Sequence, residues 1–128
     1  MRVLMDTHIL LWAITDPKRL SKHAESILLD PKNQIYVSAA SIWEIAIKHQ
    51  KSPLLMPIGP DEVIVASIES NFVMLDITAQ HAAAVGKLPL HHADPFDRLL
   101  IAQAQCEPLT LLTSDAALAQ YSELVILV

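Results

Sequence analysis

Five short apolar runs punctuate the chain, at 2–5, 34–37, 72–76, 109–112 and 124–128, and helical patterns fill most of the intervals. Each run is unbroken and rich in Val, Ile or Leu, the pattern of strands buried on both faces rather than the in–out alternation of a half-exposed sheet. Helices are expected at 21–29, where Ala24, Ile27 and Leu28 fall at helical spacing, and at 41–50, 61–70, 78–85, 94–105 and 114–122. Gly59-Pro60 precedes the third of these and Gly86 closes the fourth, the usual punctuation of helix starts and stops. Residues 51–60 and 88–94 read as loops. Alternation of this kind predicts an α/β domain with three α/β/α layers and a mainly parallel sheet of four or five strands.

A chain of 128 residues is expected to form a single domain, 1–128, and to bury roughly two-thirds of its unfolded surface. Apolar residues make up 52 % and the mean hydropathy is +0.37, an apolar surplus that points to self-association or to a groove for a hydrophobic partner. No apolar run approaches the roughly 18 residues of a membrane span. Asp6 falls too early for a secretory leader, and the lone Cys106, expected as a small core residue, suits a reducing cytoplasm. A net charge of −5 argues against broad electrostatic binding of nucleic acid, though not against an enzyme that reaches phosphates through a bound metal.

Four acids stand at equivalent places in this pattern. Asp6 follows the first strand, Glu44 lies one turn into the helix after the second, Asp97 opens the helix at 94–105, and Asp115 follows the fourth strand. In an open parallel sheet, ligands sit outside the carboxyl ends of the strands, so all four carboxylates should gather at one edge. Clustered carboxylates repel unless a hard cation lies between them, and Mg²⁺ or Mn²⁺ takes oxygen ligands. Each acid also has a structural explanation. Ser41-Ile-Trp-Glu44 matches a capping box, Asp94-Pro-Phe-Asp97 reads as a cap followed by a first-turn acid, Ser114 precedes Asp115 as a possible cap, and Asp6 can cap a helix beginning near His8. Capping needs one group per helix, and Ser41, Asp94 and Ser114 are available for it. Four coincident acids therefore favour a metal site.

Around these acids, Arg98 is a candidate phosphate contact, with a solvated or ion-paired helix charge as the alternative. Thr7 and Thr113 are placed to hydrogen-bond the carboxylates or a metal-bound water. His91 and His92 belong to a loop rim, without the second His or Cys pair that zinc would need. His8 can line the cleft, and Trp12 and Trp43 are expected in core or interface. Gly-rich phosphate loops and G-x-S-x-G elbows are absent.

Together these motifs resemble the PIN-domain nucleases, and within them the VapC-type toxins of prokaryotic toxin–antitoxin pairs. The resemblance rests on Met5-Asp6-Thr7-His8, Ser41-x-x-Glu44-Ile45, the string from Asp94 to Ala104, and Thr113-Ser-Asp115, and it spans essentially the whole chain. It implies a PIN-like fold and a divalent-metal endoribonuclease, with Asp6, Glu44 and Asp97 holding Mg²⁺ or Mn²⁺ and Asp115 contributing. It also implies an RNA substrate, a homodimer, and a small cognate antitoxin that lays a helix or arm in an apolar groove. Two other readings stay open: a catalytically silent PIN-fold interaction module, and a metal-dependent phosphohydrolase of a small phosphorylated molecule.

Overall fold

A computed structural model describes residues 1–128. Five strands form one sheet: β1 (Arg2–Met5), β2 (Gln34–Ser38), β3 (Val73–Leu75), β4 (Thr110–Thr113) and β5 (Val125–Leu127). The order across the sheet is β3-β2-β1-β4-β5 and every pairing is parallel. Register is fixed on both sides of β1, with Leu4 opposite Tyr36 of β2 and Leu111 of β4.

The apolar runs are continuous because helices cover both faces. Val3 and Met5 point into one core with Ile9, Leu10, Ile27, Ile45 and Val63, while Leu4, between them, points into the other with Leu99, Leu100, Leu111 and Leu118. Helices α1 (Thr7–Thr15), α2 (Lys22–Leu29) and α4 (Pro60–Glu69) cover the first face; α5 (Ala79–Val85) and α6 (Pro95–Cys106) pack on the second. Helix α3 (Ala39–Lys51) serves both, with Ala40 in one core and Ile45 in the other. This is the three-layer architecture that the alternation predicts. Just past the end of α4 and its cap Ser70, Asn71 takes a φ of 61°, the left-handed conformation that asparagine tolerates, and the chain turns there into β3.

The differences from expectation lie at element ends. Helix α3 begins at Ala39 rather than near 41, because Ser38, the last residue of β2, caps it by accepting from Ala40 N. The capping box expected at Ser41 does not form; Ser41 is buried within the helix and accepts a hydrogen bond from Thr7 Oγ1 at 2.9 Å. The segment expected as a last helix, 114–122, tightens to a 3₁₀ turn, Ala116–Gln120, capped by Asp115 instead of Ser114. A further 3₁₀ turn, Pro17–Arg19, links α1 to α2. Cys106 is exposed on the last turn of α6 rather than in the core, and Trp43 is 55 % exposed, edge-on to Phe96. No helix is long and apolar enough to cross a membrane.

Candidate metal centre at the carboxyl edge

The strand order places the connections from β1 and β4 on opposite sides of the sheet, so the carboxyl ends of these two neighbours form the switch point, the place where open α/β sheets bind ligands. Asp6 and Asp115 flank it. Asp6 N continues the ladder by donating to Leu112 O, and the Asp6 carboxylate caps α1 by accepting from Ile9 N at 2.8 Å. Thr113 Oγ1 donates to the second Asp6 oxygen in a short hydrogen bond and accepts from Asp115 N at 3.1 Å. Thr113 thus links the Asp6 carboxylate to the Asp115 backbone. Thr7 instead bonds Ser41, locking α1 against α3.

The early start of α3 decides the role of Glu44. It falls in the second turn, too deep to cap, and its side chain is only 5 % exposed. Oε2 pairs with Lys48 Nζ at 2.6 Å, one turn on, whereas Oε1 is buried without any hydrogen-bond partner. An orphaned buried carboxylate oxygen is costly, and in native proteins such an atom is satisfied by water or an ion or serves a catalytic role.

Asp97 comes from α6. Asp94 caps this helix by accepting from Phe96 N and Asp97 N, which leaves the Asp97 side chain free. Its Oδ2 takes a hydrogen bond from His92 Nε2 at 2.9 Å, and the same nitrogen lies 3.9 Å from Asp115 Oδ2. Burial pushes the Asp97 carboxyl up to about 6, with the charges of Asp94, Glu44 and Asp6 adding to the shift and the His92 bond opposing it. Burial likewise raises Asp6, against the hydrogen bonds from Thr113 and Ile9 and the charge of His8, with Glu44 adding a little. The mutual charge effects link Asp6, Glu44 and Asp97, and the shared His92 links Asp97 to Asp115. All four predicted acids meet at one edge.

Arg98 does not join them. Its side chain is buried, with Nη1 donating to Pro89 O, His92 O and Tyr121 Oη, and Nη2 to Val85 O and Leu88 O. The guanidinium therefore clamps the loop between α5 and α6 and has no free fork for phosphate, because four backbone carbonyls and the Tyr121 hydroxyl already occupy its Nη donors. It is neither the rim contact nor the solvated charge considered from sequence. Lys48 was missed, although its position four residues after Glu44 is the spacing of a helix ion pair. His92 received only a rim role; its proximity to Asp97 and Asp115 depends on the Arg98-held loop.

The donor chemistry suits a hard divalent cation: Asp6, Glu44 and Asp97 offer carboxylate oxygens, two of them raised in pKa by burial and one with an unpartnered oxygen, while the donor atoms that lie within 4.8 Å of one another are those of His92, Asp97 and Asp115. An open, all-parallel α/β/α sheet with carboxylates at the carboxyl ends of its central strands defines the class of fold. The particular family follows from the comparisons: the PIN domain family model matches residues 3–124, and the chain belongs to that family. No curated protein sequence matches significantly. Among solved structures, the chain is similar to one in VapBC2 from Rickettsia felis bound to a promoter DNA fragment, with TM-score 0.71, 21 % identity, and 100 % of this chain and 98 % of that one covered. It is also similar to a chain of DNA-bound VapBC from Salmonella typhimurium, with TM-score 0.67, 18 % identity, and coverage of 100 % and 97 %. A chain of FitAcB from Neisseria gonorrhoeae matches at TM-score 0.61 and 19 % identity, with 97 % and 96 % covered.

Proposed function

We propose that this chain is a divalent-metal-dependent endoribonuclease, using Mg²⁺ or Mn²⁺, and the toxin of a cytoplasmic toxin–antitoxin pair. The observation that carries the metal-dependent reading is the buried, incompletely compensated acid set of Asp6, Glu44 and Asp97 at the β1/β4 switch point. A divalent cation bound there supplies an activated water and neutralises charge developing on a scissile phosphate. The chain's own residues do the rest. Thr113 and Ile9 N hold the Asp6 carboxylate in one orientation, Asp94 aims Asp97 by taking over the helix cap, and Asp115 sits at the mouth to orient water or a second ion. With Arg98 committed to the loop, Lys48, half exposed and paired with Glu44, is a basic group at this edge that a phosphate could reach. Hydrolysis is expected to leave a 5′-phosphate and a 3′-hydroxyl.

The structural neighbours named as VapBC and as a toxin–antitoxin complex from Klebsiella pneumoniae support the toxin reading. So does the surface. An open groove beside His8 is lined on its apolar side by Leu11, Trp12, Leu55, Met56 and Ile58 and on its polar side by Asp16 and Arg19, and Leu55 and the neighbouring Leu54 are 86 % and 94 % exposed. This apolar strip suits the helix or arm of a small antitoxin. Exposed Val65, Ile68 and Leu90 elsewhere suit a second copy of the chain.

The test is cleavage of single-stranded RNA by purified protein in Mn²⁺ or Mg²⁺, with EDTA and Asp97→Asn as controls and small phosphorylated nucleotides as competing substrates. Cleavage in EDTA, or at wild-type rate by Asp97→Asn, overturns the metal mechanism. Turnover of the nucleotides alone replaces RNA with a small phosphorylated substrate. No turnover of either leaves an interaction module. Expression of wild type should slow growth, with relief from co-expression of a small protein encoded beside it, while Asp6→Asn should be tolerated.

A further inference from the structure

We propose that His92 is a direct metal ligand, so that the outer end of the site is a mixed nitrogen–oxygen position for a first-row transition ion such as Mn²⁺. This rests on the metal-site reading above and goes beyond the carboxylates that carry it.

One atom, His92 Nε2, faces two carboxylates, 2.9 Å from Asp97 Oδ2 and 3.9 Å from Asp115 Oδ2. All three donors lie within 4.8 Å of one another. In an octahedron with bonds of about 2.1 Å, neighbouring ligands stand about 3.0 Å apart and opposite ones about 4.2 Å. The two His92 distances, 2.9 and 3.9 Å, lie close to the adjacent and opposite spacings, so an ion can take the place of the bridging proton with small side-chain shifts.

The loop that carries His92 is held in place. Its carbonyl accepts from Arg98 Nη1 and from Tyr121 Oη, both at 3.4 Å, while the same guanidinium grips Val85, Leu88 and Pro89. The second indication of a ligand is independent of the histidine: Glu44 Oε1 is buried and unpartnered, and Glu44 is coupled by charge to Asp97. Asp97 is thus shared between an inner set of oxygen donors, with Asp6 and Glu44, and an outer set that includes an imidazole. Imidazole favours transition ions over Mg²⁺.

The experiment reads coordination rather than turnover. Mn²⁺ is bound to the full-length protein and the spin echo of the ion is examined for modulation by a directly coordinated nitrogen. Wild type should show it, and His8→Gln and His91→Gln should keep it. His92→Gln should lose it and bind Mn²⁺ at least about tenfold more weakly, with Mg²⁺ affinity changed far less. Isotopic nitrogen labelling of histidine in wild type should shift the modulation, which gives an answer even if His92→Gln fails to fold. Bound Mn²⁺ without nitrogen modulation, modulation that survives His92→Gln, or modulation that does not respond to histidine labelling overturns His92 as a ligand while the carboxylate site stands. Failure of wild type to bind Mn²⁺ overturns both.

Discussion

At the inner end of the acidic edge, Asp6 and Glu44 are almost fully buried and largely engaged. Asp6 caps α1 and takes the Thr113 hydroxyl, and Glu44 pairs with Lys48. At the outer end, Asp97 and Asp115 are 22 % and 45 % exposed, and His92 is the side chain they share. The inner acids are built into the scaffold, so their charge is partly compensated whether or not a cation is bound. Asp97 is the acid whose charge the surroundings oppose most plainly, since burial and three carboxylates act on it together. Metal binding should therefore be felt in stability chiefly through Asp97, and in catalysis through both ends.

The largest effect expected is on RNA cleavage. Asp6→Asn, Glu44→Gln and Asp97→Asn should each lower kcat/KM by about a hundredfold or more, roughly 3 kcal/mol of transition-state stabilisation, and Asp115→Asn by about tenfold. Equal losses at all four positions would make Asp115 equivalent to the other three acids.

Stability separates the two ends without a substrate. In EDTA near pH 7.5, Asp97→Asn should be more stable than wild type by about 1–2 kcal/mol, since it removes a charge that burial and its neighbours disfavour. Asp6→Asn should lie within about 1 kcal/mol of wild type, because the lost charge is offset by the lost bond from Thr113. Adding Mn²⁺ should raise the wild-type Tm with the logarithm of metal concentration and leave Asp97→Asn nearly unmoved. Thermal melts decide it: an Asp97→Asn protein that is less stable in EDTA and fully responsive to Mn²⁺ would make Asp97 a structural residue.

The pH dependence has a definite sign. The folded Asp97 carboxyl, at about 6, holds its proton more tightly than the unfolded one at 3.8. Its stabilising contribution is fully present below pH 3.8 and lost as pH rises through about 6. Metal-free wild type and Asp97→Asn should therefore converge in stability near pH 4 and diverge by pH 7, with the mutant above. A difference that stays constant across this window would show that the Asp97 proton is not the cause.

The smallest effect is at Lys48. Lys48→Met should cost about 1 kcal/mol in EDTA, a modest figure because the ammonium is half exposed. In Mn²⁺ the cost should shrink, as the cation replaces the lost charge beside Glu44. The same loss in both conditions, by chemical denaturation, would mean that Glu44 does not face the ion.

The sequence by itself determined the α/β alternation, the parallel sheet and the meeting of four acids, because these follow from local periodicity and from the rule that parallel strands present their carboxyl ends together. Asp94 as the cap of α6 was legible for the same reason: capping is a matter of a few adjacent residues. What only the tertiary structure decided are contacts between distant segments. Ser38 displaced Ser41 as the cap of α3 because β2 runs directly into the helix, and that shift buried Glu44 one turn deeper with an unpartnered oxygen. Arg98, next to Asp97 in sequence, spends its donors on four backbone carbonyls and the Tyr121 hydroxyl. Successive helical side chains differ in direction by about 100°, so adjacency implied no shared role. His92 reached the acids because that clamped loop carries it there, a consequence of folding that no spacing in the chain records.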